Sequence, residues 1–332
     1  MQRNQAFGTV YGQYELLDGL NYRLNAGFSY EDLESRFFQK GGGLPRQNNP
    51  RDPAFLDVGR DDYTSVLLEN LLTYDRTFAG THSFNAVAGY TEQQTERDWL
   101  WAHRREFADE DLRQIGAGVE NLDNDGFAIE SRLRSFLGRV NYSLADRYLL
   151  TASYRRDGSS RFGPGNRWGN FWSGSLGWVM SEEPFFANIP LLGGADFFKL
   201  RASYGVLGNQ DFADYQFAGL IQNRSYLFGN TIAPGAIQVD LANPNIKWQE
   251  NTQQNYGFDM SLLGNQLSFT ADYYISQSDD LLVRAPLPPT LASDGRLEQG
   301  KERLDLLGRQ HRGRLVEDED AGAAVERLQD LD

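Results

Sequence analysis

The chain has 332 residues, enough for one large core or two ordinary ones, and combines 13% aromatic residues and 34 Gly with 11 Pro, 3 Met and no Cys. The lack of Cys excludes a disulfide framework and any thiolate metal site. The net charge of −14 argues against a nucleic-acid partner, whose phosphates need clustered Lys and Arg, and no run of about 18 apolar residues offers a membrane-spanning helix.

Met1 leads through Gln2, Arg3, Asn4 and Gln5 into a strand-like pattern with no signal peptide, so an exported protein would carry its leader upstream. A first strand is predicted over 5–16, and Asp18-Gly19 supplies the tight turn after it. The second, 20–31, is the clearest. Leu20, Tyr22, Leu24, Ala26, Phe28 and Tyr30 form one face; Asn21, Arg23, Asn25, Gly27, Ser29 and Glu31 form the other. A period of 3.6 would smear these two sets around an axis, so only a strand segregates them. Further strands follow at 64–76, 83–93, 132–144, 148–156, 171–181, 197–207, 252–263 and 267–277, among them Tyr256, Phe258, Met260 and Leu262 against Asn255, Gly257, Asp259 and Ser261.

The connections alternate in length. Short ones lie at Asp18-Gly19, 77–82, Ala145-Asp146-Arg147 and Gly264-Asn265; long ones run through 32–63, 94–131, 157–170 and 208–251. The segment 182–196, with Pro184 and Pro190, falls on the short side but exceeds a hairpin. Such alternation is that of an up-and-down membrane β-barrel, and ten to twelve residues cross a bilayer at a tilt of about 45°. Tyr30, Tyr74, Tyr90, Tyr148 and Trp178 stand near strand ends, where interfacial girdles belong, while Arg23, Arg139, Arg155 and Asp259 share the polar face. The expected fold is therefore all-β, antiparallel, with the polar face lining a lumen and the apolar face meeting lipid. A soluble β-sandwich also alternates, and a passive porin would share the whole pattern.

The run FLGRVNYSLADRYLLTASYRRDGSSRFGPGNRWGNFWSGSLGW (136–178) resembles the SusC/RagA family of TonB-linked outer-membrane transporters. So do FKLRASYGVLGNQ (198–210), NPNIKWQENTQQNYGFDMSLLGNQLSFTADYY (243–274) and SDDLLVRAPLPP (278–289), in the family's order; residues 1–135 look like its less distinctive upstream strands. The resemblance implies a 22-stranded barrel with an N-terminal plug, of which residues 1–290 would supply about ten strands. It also implies the outer membrane of a Gram-negative bacterium, energy from the TonB complex, a SusD-like surface lipoprotein as partner, and glycan or peptide oligomers as ligands. Neither a cofactor nor catalysis is implied. The plug, TonB box and signal peptide are expected outside this sequence. From Leu291 to Asp332 there is no Phe, Trp or Tyr, and the charged 291–332 tail reads as disordered, helical or out of frame after Pro289.

Little supports catalysis. His82, His103 and His311 are scattered, and the charges around His103 read as a solvated run. Asn121, Asp123, Asp125 and Gly126 match the opening of a calcium loop, but its twelfth position is Arg132 where a bidentate Glu is needed, so a polar surface turn is the better reading. GPGNRWG (163–169) has no Lys-Ser/Thr after it and reads as a tight turn. Trp99, Trp101 and Trp168 fall in predicted long loops, where an indole face can stack on a ligand ring, against the competing reading of packing among the loops.

Overall fold

The computed structural model describes residues 1–42, 53–190, 192–229, 231–238 and 242–282; the 291–332 tail and the expected frame change after Pro289 lie outside them. Ten strands form one antiparallel sheet: β1 (Gln2–Leu17), β2 (Leu20–Gln39), β3 (Phe55–Phe78), β4 (His82–Phe107), β5 (Gly118–Leu144), β6 (Tyr148–Ser159), β7 (Trp168–Val179), β8 (Phe197–Asn209), β11 (Gln249–Leu262) and β12 (Leu267–Asp279). Each pairs with its neighbour in chain order, except that β8 joins β11 across a separate hairpin of β9 (Ile221–Phe228) and β10 (Thr231–Gln238). All ten predicted strands are present. A sandwich is ruled out, since these strands occupy a single sheet rather than two facing ones.

Register carries one chemistry across each face, because residues directly opposite in a ladder share a face. One row runs Phe84, Tyr142, Leu150, Leu176, Ala202, Tyr256 and Tyr273. The next row, one residue along, reads Asn85, Asn141, Thr151, Ser175, Ser203 and Asn255. Leu176 is 62% exposed and Phe28 and Trp172 about half, on a sheet with no second layer over them among the described residues. So continuous an exposed apolar face needs an apolar medium, which for a barrel strand is lipid.

Aromatic rings bound this outer face at two levels. Toward the short turns, Tyr74 packs on Phe84 at 6.1 Å and Tyr148 stacks on Trp178 at 6.5 Å. Toward the long connections, Tyr90 meets Phe136 at 5.2 Å, Phe136 stacks on Trp168 at 6.1 Å, and Trp172 stacks on Tyr204 at 4.7 Å. Trp172 and Trp178 are six residues apart on β7, roughly 20 Å at about 3.3 Å per residue, close to the apolar band of about 25 Å of membrane barrels.

The short-side turns take positive φ as expected: Gly19 at 78°, Gly264 at 66° and Asn265 at 64°. Ala145 and Asp146 do so without glycine, at 52° and 55°. A Cβ on Gly19 would stand 2.3 Å from the Asp75 carbonyl oxygen, so that turn requires glycine for space as well as for φ. A short 3-10 turn, Met180–Glu182, leads into the 182–196 exception, and a second, Phe186–Asn188, lies within it.

Two predicted long loops prove to be mostly strand. β2 and β3 extend to Gln39 and back from Phe55, and β4 and β5 to Phe107 and back from Gly118, so most of 32–63 and 94–131 continues the sheet. Beyond a bilayer both faces meet water, and the hydrophobic period that signals a strand fades while backbone pairing persists. The segment 208–251 likewise contains the unanticipated β9–β10 hairpin.

The short strands end differently on the long side. β7 and β8 pair only between Ser173–Val179 and Lys199–Gly205, then part. Buried Phe162, Phe171, Val206 and Trp248 cluster in the parting seam, with Leu133, Tyr204, Phe212 and Ile246 around them. The Trp248 indole N–H donates to the Arg167 carbonyl at 3.0 Å, and Asn166 donates to the Pro244 carbonyl at 3.1 Å. Gly208 has no side chain because the Phe171 ring occupies that space; a Cβ there would lie 2.0 Å from it.

Candidate functional site

The inner face is a connected polar surface. Asn141 donates to Asn85 at 3.1 Å and accepts from Thr151 at 3.0 Å; Ser153 and Ser173 hydroxyls meet at 2.6 Å. Arg201 holds Asp259 with two bonds of 2.8 and 3.1 Å and reaches Asp272 at 3.2 Å, so its charge is matched within the wall. Beside it lies a hollow of about 330 Å³ lined by Thr151, Ser175, Lys199, Arg201, Ser203 and Asn255, into a wall where Asn255 Oδ1 is buried without a hydrogen-bond partner. These groups are spaced to exchange hydrogen bonds with a polar solute.

Higher on the same face, β4 presents Arg97, Trp99, Trp101 and His103 in alternation. Trp99 stacks on Phe127 of β5 at 5.4 Å, and Trp101 stacks on His103 at 5.8 Å. His103 packs against Phe55 at 5.6 Å and its Nδ1 lies 2.7 Å from the Asp57 carboxylate, a held position that accounts for this histidine without chemistry. Arg97 grips Asp61 through Nε at 2.8 Å and Nη2 at 2.6 Å, which keeps the Asp61 carboxyl below the usual carboxylate range. Trp99, Trp101, Asp123, Asn124, Asp125 and Gln222 line a cleft of about 600 Å³, Gln222 coming from the β9–β10 hairpin.

Of the three tryptophans singled out above, Trp99 and Trp101 come together, in strand β4 rather than a loop. Trp168 does not join them. It opens β7 on the face of Trp172 and Trp178, 41% exposed on the outer side, so it stands in the aromatic girdle and across the wall from the cleft. Asp123 and Asp125 are strand residues opposite His103 and Trp101, not a turn. Among the described residues no three His, Asp or Glu groups are placed to hold a metal ion. Asp61 and Phe127 were not singled out by sequence, Asp125 only as part of a calcium-loop opening, and Gln222 not at all. For the first three the usable signal was the alternation of RDWLWAHRR, which continues a strand past residue 93 and places Trp99 and Trp101 on its inner side. Flat indoles beside carboxylates and amides can stack a ring or a planar group while bonding hydroxyls or amides at its edge.

Residues 2–313 match the family described as TonB dependent receptor-like, beta-barrel. The TonB-dependent receptor P3 of Formosa agariphila is 32% identical over 280 residues, which covers 84% of this chain and 27% of that protein. The TonB-dependent receptor SusC of Bacteroides thetaiotaomicron is 33% identical over 241 residues, 69% of this chain and 23% of its own length. Among solved structures, the RagAB peptide transporter superposes with a TM-score of 0.77 at 23% identity over 87% of this chain and 32% of that one, a likeness of fold. The chain thus spans only 23–27% of these curated relatives.

Proposed function

The chain belongs to the TonB-dependent receptor-like β-barrel family, and on that footing we propose that it forms ten wall strands of an outer-membrane nutrient transporter of the SusC/RagA type. The observation that carries this reading is the two-faced sheet: an apolar outer face edged by two aromatic girdles, and an inner face of bonded Asn, Ser, Thr, Arg and Asp. An open sheet cannot sit in hydrocarbon with unpaired edges, so β1 and β12 would pair with further strands of the complete receptor. The chain would act as carrier wall, not catalyst. Its solute would be a glycan or peptide oligomer, delivered by a SusD-like lipoprotein above the tall strands β2–β5 and driven inward by TonB acting elsewhere on the receptor.

Trp99 and Trp101, with Asp123, Asp125 and Gln222, would touch that solute on its way in. In the complete receptor, Trp99→Ala and Trp101→Ala should each weaken binding of the transported oligomer about threefold to tenfold, the scale of one aromatic stack. Isothermal titration reads this, and unchanged affinity in both variants would remove the cleft from the ligand path. Uptake that persists in cells lacking TonB would favour the passive porin instead.

A further inference from the structure

Just above the long-side girdle, the outer face holds three arginines that solute transport leaves unused: Arg132 and Arg134 on β5 and Arg156 on β6. Register sets Arg156 opposite Phe136 and Arg134 opposite Gly158, so Arg134 stands two rungs from Arg156 on one face, with Arg132 two residues further along β5. Their surroundings differ in one respect. Arg134 is bonded to Glu92 at 2.9 Å and Arg132 to Glu130 at 2.6 Å. Arg156 has no carboxylate within ion-pair distance among the described residues; its guanidinium lies over the Trp168 ring, 5.2 Å from the centroid. That indole is laid flat across β6 because residue 158 is glycine, whose added Cβ would stand 2.8 Å from the ring. Trp168 in turn continues into Phe136 and Tyr90.

Glu92 and Glu130 take up Arg134 and Arg132, with Glu96 opposite Glu130, and none of these carboxylates reaches Arg156. An unmatched cation at the rim of the hydrocarbon layer lies at the level of the lipid headgroups, where an anion from outside the protein would satisfy it. A guanidinium fork fits the oxygens of a phosphate, and the aromatic shelf beneath fits the first methylenes of an acyl chain. We propose that Arg132, Arg134 and Arg156, with Trp168 as floor, bind the phosphate-bearing headgroup of an outer-leaflet lipid. A free phosphate would use the arginines alone and leave the shelf idle. The inference rests on the bilayer orientation proposed above.

The complete receptor, reconstituted in phosphatidylcholine vesicles doped with lipid A, would be extracted and its retained lipids weighed by native mass spectrometry. Wild type should hold lipid A in preference to phosphatidylcholine, and inorganic phosphate should not displace it. Arg156→Gln should cut retention about tenfold, and the triple change Arg132→Gln, Arg134→Gln, Arg156→Gln should abolish the preference. Glu92→Gln, which releases Arg134 from its partner, should raise retention. Equal retention by wild type and the triple variant, or displacement by inorganic phosphate, would overturn the site. Heat-modifiable migration on gels separates the two levels of failure. A barrel that migrates so yet holds lipids indiscriminately refutes only this inference; one that never does refutes the bilayer reading beneath it.

Discussion

Two parts of this wall leave the membrane band in opposite ways. β2, β3, β4 and β5 run for 20, 24, 26 and 27 residues, whereas β6, β7 and β8 stop after 12, 12 and 13. The tall strands continue by pairing alone. Above the girdle the β3–β4 ladder is unbroken to Arg105 and the β4–β5 ladder to His103, and cross-strand ion pairs such as Arg97–Asp61, Arg134–Glu92 and Arg60–Asp32 decorate them. The short strands instead part at β7–β8, and a buried cluster of Phe162, Phe171, Val206 and Trp248 closes the seam. Backbone hydrogen bonds propagate a sheet wherever the partner strand is present, each with a net contribution of only about 0.5–1.5 kcal/mol. Where the ladder ends, apolar burial must replace it, and it does so with residues drawn from three separate chain segments.

If that contrast is right, the two parts should fail differently. The largest effect is expected in the seam. Trp248, 6% exposed, fills the gap and bonds Arg167, so Trp248→Ala should cost about 3–5 kcal/mol in unfolding experiments on the complete receptor. Protease cleavage should appear near 160–167 and 242–248 while the tall strands stay resistant. Cleavage of both parts together would mean that the wall is one cooperative unit. The next largest effect tests the lower halves that both parts share. Leu24 lies on the outer face and Asn25 on the inner, hydrogen-bonded to Glu69 at 3.1 Å. Leu24→Arg should cost about 2–4 kcal/mol near the bilayer midplane, and Asn25→Arg much less, by unfolding in lipid vesicles. Equal costs would reverse or abolish the assignment of faces.

This same boundary decides what could be read from sequence. Period two was plain in Leu20–Glu31 because lipid and lumen demand opposite side chains, and turns were plain at Gly19 and Gly264-Asn265 because positive φ restricts the residue. In Glu92, Gln93, Gln94, Thr95, Glu96 and Arg97 both faces are polar, so the strand left no hydrophobic trace and 94–131 read as loop. β9–β10 hid for a similar reason, with Pro234 inside the strand as a further contrary signal. Trp99 and Trp101 stood out by residue type, but their partners Asp123 and Asp125 emerge only through the β4–β5 register and Gln222 only through the hairpin. Trp168 was legible in principle, since counting by twos from Trp178 and Trp172 reaches it on the outer face. The seam shows the reverse case. Phe162 and Trp248 lie in separate runs that carry the family resemblance, and only the fold explains why both are there: they pack on each other at 4.9 Å.

The smallest expected effect lies in the tall strands and bears on whether ion pairs or backbone pairing hold them. Arg97 and Asp61 stand beyond the membrane band with side chains 49% and 22% exposed, a geometry in which a pair contributes about 0.2–1 kcal/mol. The Arg97 hydrogen bonds lower the Asp61 carboxyl below its usual value, so the folded form favours the charged state. Its contribution is therefore complete above the ordinary Asp range, near pH 4, and is lost as the pH falls through that value toward the lowered one. Arg97 also lies over the Phe127 ring, 5.6 Å from the centroid, so its side chain does more than supply charge. Asp61→Asn should accordingly speed amide exchange in the upper β3–β4 ladder no more than about fivefold at neutral pH, with the effect shrinking as the pH falls through the lowered Asp61 value and the wild-type pair discharges. Arg97→Ala should exceed it across that range, because the contact with Phe127 is lost as well. The ladder around Trp248 should respond to neither. If Asp61→Asn instead opened the tall strands over their whole upper length, charge rather than backbone pairing would be what keeps them extended, and the contrast with the seam would have to be drawn between ion pairs and apolar packing.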